Sequence, residues 1–221
     1  MAKRVSHSLL DPLVTTPLKS IHPRLAIPAW FPPEGIVLVG HLLAIVGAVG
    51  FACAGRWWWG GLLAAIGVAG NHVADVLDGT HARATGQCRN GGELLDHFVD
   101  PLSFSYWVTG LAYAADCLLL GIGGVIVIYA TAVLTNIKAK MVGEFTLARF
   151  GPTEFKLLLV AFGLLMAGMT GDSLSRERLA FWFLLVLFAA GLVQLKWSLW
   201  KALRTVNAAG APPDTTEWKQ D

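Results

Sequence analysis

The stretch Gly35-Ile-Val-Leu-Val-Gly-His-Leu-Leu-Ala-Ile-Val-Gly-Ala-Val-Gly-Phe-Ala-Cys-Ala54 decides the fold class of this chain. It contains no Asp, Glu, Lys or Arg, and about twenty such residues form a helix long enough to cross a bilayer. The composition agrees, because 55% of the 221 residues are hydrophobic and 14% are charged, whereas a typical soluble domain has about 25% charged residues. The sequence therefore predicts an integral membrane protein.

Apolar stretches separated by short polar segments predict an all-α fold with six transmembrane helices. The predicted spans lie near 35–54, 57–78, 93–115, 118–140, 155–171 and 179–198. We accordingly divide the chain into an N-terminal cytoplasmic or interfacial segment, a six-helix transmembrane domain and a disordered cytoplasmic tail, with the bounds 1–34, 35–200 and 201–221.

The segment before the first span suits a short amphipathic helix on the membrane surface, because five apolar residues are mixed there with Lys19 and prolines. They are Leu9, Leu10, Leu13, Val14 and Leu18. Prolines at positions 12, 17 and 23 leave a disordered arm as the alternative. With six spans and the N-terminus inside, the outer loops hold only three basic residues and the other 14 of 17 lie near the inner face. This asymmetry predicts cytoplasmic termini.

Four carboxylates, Asp75, Asp78, Asp96 and Asp100, lie beside or within the second and third spans, where an ionised group is costly. At about 100° per residue, Asp75 and Asp78 lie roughly 60° apart on one helix, and Asp96 and Asp100 roughly 40° apart on the next. Two adjacent antiparallel helices can therefore direct both pairs at one point. Such a cluster of hard oxygen ligands suits Mg²⁺, Mn²⁺ or Ca²⁺. The alternative is a set of helix caps and surface charges.

Small residues between the two acidic pairs leave room for a ligand near the backbone. They include Gly79, Ala82, Gly91 and Gly92, and Arg83 follows about one turn after Gly79, close enough to bind a phosphate held at the cluster. The residues alone thus predict a polar, metal-binding, phosphate-compatible pocket that opens to the cytoplasm.

The arrangement resembles the complete signature of the CDP-alcohol phosphotransferases, D-x-x-D-G-x-x-A-R-x8-G-x-x-x-D-x-x-x-D. Here it runs from Asp75-Val-Leu-Asp78-Gly79-Thr-His-Ala82-Arg83 to Gly92-Glu-Leu-Leu-Asp96-His-Phe-Val-Asp100, and every fixed position matches. The resemblance implies that the four aspartates hold one or two Mg²⁺ or Mn²⁺ ions and that Asp100 is the base that deprotonates the attacking hydroxyl. Asp75, Gly79, Ala82, Arg83 and Gly92 would bind the CDP part, and CMP would leave.

Several basic residues are weaker candidates for an acceptor or phosphate site. Lys138, Lys140 and Arg149 lie where the fourth span reaches the cytoplasmic side, and positive-inside anchoring explains them as well. His97 follows Asp96 and His72 precedes Asp75 by three residues, so either lines the pocket or is an ordinary interior histidine. Residues 149–154 predict a turn followed by a helix start near Pro152 or Thr153.

The resemblance leaves the substrate pair open. Gly92-Glu-Leu-Leu-Asp96-His97 and Gly-Pro-Thr-Glu154 look more like the members that use CDP-choline or CDP-ethanolamine with diacylglycerol. The alternative is CDP-diacylglycerol with glycerol phosphate, inositol, inositol phosphate or serine. A divalent-cation transporter is the non-enzyme alternative, but its acidic residues would be spread through the membrane depth. Family members commonly form homodimers, and Gly47, Gly50, Gly163 and Gly168 permit close packing within or between chains. We expect no nucleic-acid partner.

Overall fold

The computed structural model describes residues 3–147, 150–169, 172–209 and 215. Over these ranges the chain forms seven α-helices and two short strands, which supports the predicted all-α class apart from the strands. In chain order they are β1 (Lys3–Ser6), α1 (Asp11–Ile21), α2 (Pro33–Ala54), α3 (Trp58–Thr85), α4 (Asn90–Ala114), α5 (Leu118–Val142), β2 (Glu144–Leu147), α6 (Pro152–Gly168) and α7 (Ser173–Ala208).

The helices α2 to α7 coincide with the six predicted spans. By length and composition, α2, α3, α5 and α7 are long and apolar enough to cross a membrane. α6 has only 17 residues, and α4 is long enough but not apolar enough, so neither belongs to this set. The structure therefore supports four spans, and the count of six stays a prediction.

The N-terminal segment forms α1 where the sequence predicted a surface helix, and its Leu13 side chain is 70% exposed while Thr15 is buried. Its position on a membrane stays a prediction. β1 pairs in parallel with β2, from Lys3 opposite Glu144 to Ser6 opposite Leu147. At the other end α7 continues to Ala208, so the predicted tail begins as helix; its residues 210–214 and 216–221 lie outside the described part.

Close backbone contacts hold α3 against α2 and α6. A Cβ atom added to Gly67 of α3 would collide with the backbone of Gly47 in α2. One added to Gly163 of α6 would lie 2.8 Å from the backbone oxygen of Gly61 in α3. The predicted close packing at Gly47 and Gly163 therefore lies within the chain, whereas Gly168 faces open space.

α2 also carries α4. Trp107 of α4 is fully buried, and its Nε1 donates a 2.9 Å hydrogen bond to the carbonyl oxygen of Ala44 in α2. The spacing of the acidic pairs predicts that α3 and α4 are adjacent. In the structure both pack mainly along α2, because the glycines and alanines of α2 admit them closely, and a small cavity remains between the three helices. That space holds the candidate site.

A glycine ends α3 and returns the chain towards this space. Gly86 has a φ of 71°, in the left-handed region that closes many helices, and its N–H donates to Ala82 O. The Gln87 side chain then donates to the carbonyl oxygens of Ala29 and Phe31 at 2.9 and 3.2 Å. α4 begins at Asn90, so the acidic pairs of α3 and α4 lie near the same connection.

Candidate active site

The four aspartates of the sequence motif line one cavity between three helices. One carboxylate oxygen from each of Asp75, Asp96 and Asp100 lies within 4.8 Å of the other two. Asp78 lines the cavity beside this group. In the described part of the chain the lining residues are Val37 and Gly40 from α2, Asn71, Asp75 and Asp78 from α3, and Asp96, Val99 and Asp100 from α4. The structure thus brings together all four predicted ligands, and their roles stay predictions.

A buried lysine that the sequence analysis missed completes the electrostatics of the cluster. Lys156 of α6 is 1% exposed, and its Nζ donates to Asp75 Oδ2 at 2.7 Å and to Asp100 Oδ1 at 3.0 Å. Both carboxylates keep 26% of their side-chain surface exposed. The available signal was position, since a lysine inside the predicted span 155–171 needs a partner in the membrane.

Asn71 is a second lining residue outside the motif. Its Nδ2 donates to the carbonyl oxygen of Gly40 at 3.0 Å, and its Oδ1 is buried with no hydrogen-bond partner in the described part of the chain. Asn71 precedes Asp75 by one helical turn and therefore lies on the same face of α3. Its amide oxygen is a neutral oxygen donor at the cavity wall.

The predicted CDP-binding residues follow the cluster along α3. The Arg83 side chain folds back over Gly79. A Cβ atom added to Gly79 would lie 3.3 Å from Arg83 Nη1. Arg83 is exposed and Ala82 is half-buried, whereas a Cβ atom on Gly92 would meet nothing within 4 Å. The backbone is therefore open at Gly92 and covered by the Arg83 guanidinium at Gly79, and the CDP-binding role of these residues stays a prediction.

The weaker candidates lie away from the cavity lining. The His97 ring packs edge-on against Phe145 of β2 at a centroid distance of 4.6 Å and lies 4.0 Å from the Glu93 carboxylate. Lys138 Nζ lies 3.4 Å from Thr146 Oγ1, and Lys140 is exposed. None of these three residues is among the described residues that line the cavity, and their acceptor role stays a prediction. Arg149 lies outside the described residues.

His72 is the remaining histidine near the cluster. It is buried, it is absent from the cavity lining, and neither ring nitrogen has a hydrogen-bond partner among the described residues. The alternative of an ordinary hydrogen-bonded interior histidine is therefore not what the structure shows.

The donor set fits a hard divalent cation. Carboxylate oxygens from two helices converge, and Asn71, whose Oδ1 has no partner among the described residues, lines the same cavity. Oxygen ligands of this kind suit Mg²⁺, Mn²⁺ or Ca²⁺, whereas zinc in proteins favours Cys and His. The site therefore has the chemistry to hold a cation that neutralises phosphate charge.

Comparison with known families agrees with this site. Residues 30–203 match the family described as CDP-alcohol phosphatidyltransferase, and this range includes α2 to α6, nearly all of α7 and all four aspartates. The chain belongs to the CDP-alcohol phosphatidyltransferase family. Together with its four apolar helices, this membership identifies it as an integral membrane protein.

The curated relatives have two different names. Human cholinephosphotransferase 1 is 34% identical over 95 residues, which are 40% of this chain and 23% of the relative. The cholinephosphotransferase 1 of Xenopus laevis is 33% identical over 86 residues, 36% of this chain and 21% of the relative. The phosphatidylinositol phosphate synthase of Mycolicibacterium smegmatis is 30% identical over 121 residues, 53% of each chain. The matches thus span about a fifth to a half of the length of these relatives.

Proposed function

We propose that this chain is a metal-dependent CDP-alcohol phosphotransferase of phospholipid biosynthesis. It transfers a phospho-alcohol group from a CDP-alcohol to the hydroxyl of an acceptor and releases CMP. The observation that carries the proposal is the convergence of Asp75, Asp78, Asp96 and Asp100 on one cavity of a chain in this family. We place the activity in the transmembrane domain 35–200.

In this proposal the four aspartates hold one or two Mg²⁺ or Mn²⁺ ions. A bound cation would neutralise charge on the diphosphate. Asp100 accepts the proton of the acceptor hydroxyl, whose oxygen forms a bond to the β-phosphorus. The bond from that phosphorus to the oxygen of CMP breaks, and CMP leaves with the electron pair. Among these steps, the proton transfer is the one that depends on a specific side chain of this protein.

Residues of α3 bind the nucleotide in this proposal. Gly79, Ala82 and Gly92 let the CDP part approach the backbone, and the Arg83 guanidinium pairs with phosphate oxygens. The position of Arg83 directly over Gly79 supports this role, because phosphate bound there would meet the backbone and the guanidinium together.

For the substrate pair, we propose CDP-choline or CDP-ethanolamine with diacylglycerol. The local sequences Gly92-Glu-Leu-Leu-Asp96-His97 and Gly151-Pro-Thr-Glu154, which look more like the members that use this pair, support the choice. The similarity to two cholinephosphotransferases supports the same choice.

The similarity to a phosphatidylinositol phosphate synthase favours a second pair, CDP-diacylglycerol with a polar acceptor. In that case Lys138, Lys140, Arg149 and His97 are the candidates for binding the acceptor phosphate. In both cases we propose a multi-pass homodimer whose active site opens to the cytoplasm.

A substrate panel tests the proposal. The purified protein in detergent receives CDP-choline, CDP-ethanolamine or CDP-diacylglycerol with Mg²⁺ or Mn²⁺ and each acceptor, and CMP is measured. Release that requires diacylglycerol supports the first pair, and release from CDP-diacylglycerol with one polar acceptor supports the second. No CMP from any combination contradicts the proposed function.

A further inference from the structure

The position of Lys156 suggests more than a passive ion pair. Its ammonium is buried and contacts two of the four aspartates, one on α3 and one on α4, while Lys156 itself belongs to α6. The ring of Phe104 lies 5.7 Å from Nζ and covers one side of the ammonium. Three helices therefore meet at one positive charge.

Four carboxylates around one cavity repel one another, and burial raises the cost of that repulsion. A positive charge between Asp75 and Asp100 offsets part of it. An ammonium and a divalent cation both seek carboxylate oxygens, so Lys156 occupies Asp75 Oδ2 and Asp100 Oδ1 in competition with any metal ion that enters.

We propose that Lys156 is a resident counter-cation of the acidic cluster. It holds α6 to α3 and α4 when no divalent cation is bound, and it weakens cation binding by competing for Asp75 and Asp100. Lys156 is thus a positioning residue that sets the cation affinity. The proposal rests on one part of the proposed function, the binding of a divalent cation by the four aspartates, and does not depend on the release of CMP.

The experiment compares wild type with Lys156→Met, Lys156→Arg and the control Lys201→Met, an exposed lysine of α7. Melting temperature is measured in EDTA, and Mn²⁺ affinity by titration calorimetry without substrates. In EDTA, Lys156→Met is expected to melt roughly 6–20 °C below wild type, because removing one partner of a buried ion pair leaves unpaired charge. Its Mn²⁺ dissociation constant should fall roughly tenfold, because the competing charge is gone.

Lys156→Arg should keep most of the melting temperature, and Lys201→Met should match wild type in both measurements. Unchanged or weaker Mn²⁺ binding by Lys156→Met overturns the proposal, as does a melting temperature equal to that of wild type. If Lys156→Met does not fold, the double variant Lys156→Met/Asp100→Asn restores part of the charge balance and should be recovered folded. Failure to recover it also overturns the proposal.

The outcomes separate this proposal from the function. If the wild type releases no CMP but Lys156→Met binds Mn²⁺ more tightly than wild type, the counter-cation proposal is supported and the proposed enzyme function is contradicted. A wild-type protein that binds no Mn²⁺ contradicts the cation site and the competition together.

Discussion

Glu154 of α6 accepts a 2.6 Å hydrogen bond from the Ser8 hydroxyl, 146 positions earlier in the chain. The same Oε1 accepts the backbone N–H groups of Leu9 and Leu10 at 2.9 and 3.1 Å, and Oε2 accepts that of Gly151 at 2.9 Å. One buried carboxylate therefore caps α6 and binds residues 8–10 of the N-terminal segment. Glu154 lies two residues before Lys156 in the same helix.

We predict that Glu154→Gln releases this segment. Gln replaces one acceptor oxygen with a donor and removes the charge, and a hydrogen bond to a charged group contributes about 1.5–3 kcal/mol. Hydrogen exchange of the amides of Leu9 and Leu10 should accelerate roughly tenfold or more. Glu177→Gln, in α7, is the matched control. Equal exchange in both variants would show that Glu154 does not hold the segment.

The helix start at residues 149–154 was predicted from the sequence, and α6 does begin at Pro152. The partner of Glu154 was not predictable, because Ser8 lies far away in sequence and its contact arises only when the bundle is assembled. The strands β1 and β2 were not predictable either, because four residues are too few to show the alternating pattern of a strand.

A second prediction concerns Asn71. Asn71→Ala removes the side-chain oxygen and the hydrogen bond to Gly40, whereas Asn71→Asp keeps an oxygen ligand, loses the N–H donor and adds a negative charge that also attracts a cation. Mn²⁺ binding should weaken roughly tenfold in Asn71→Ala and persist in Asn71→Asp. Calorimetry measures both, with Asn136→Ala on the exposed face of α5 as control. Equal loss in both Asn71 variants would mean that the amide only supports Gly40.

A third prediction uses two glycines of α3. Gly79→Ala places a methyl group 3.3 Å from Arg83 Nη1, and the flexible guanidinium can move away. We expect a near-normal melting temperature and a raised KM for the CDP-alcohol. In Gly61→Ala the methyl group meets the backbone of α6 at Gly163, which cannot move alone. This variant should lose about 1–3 kcal/mol of stability. A normal KM for Gly79→Ala would contradict the proposed role of Arg83 in binding the nucleotide.

A fourth prediction is metal dependence. EDTA should abolish CMP release, and Mg²⁺ or Mn²⁺ in excess should restore it, because the cavity offers only oxygen donors in the described part of the chain. CMP release that persists after exhaustive chelation would contradict the metal site.

The acidic half of the site was accessible to sequence reasoning and the basic half was not. Asp75 with Asp78 and Asp96 with Asp100 have helical spacing, so each pair shares a face before any tertiary structure is known. Lys156 lies 56 positions after Asp100, and no local pattern links them. A lone lysine within an apolar stretch indicates a buried ion pair, but it does not show which acidic residue is the partner.

The most direct test of the central claim is CMP release by Asp100→Asn beside Asp116→Asn. Asp116 is an exposed residue in the left-handed region between α4 and α5, which Asn also adopts, so it is a matched control outside the cluster. If Asp100 accepts the proton, Asp100→Asn should lose roughly 10²–10⁴-fold in kcat at saturating Mn²⁺, and Asp116→Asn should keep wild-type turnover. Wild-type turnover by Asp100→Asn would contradict the account.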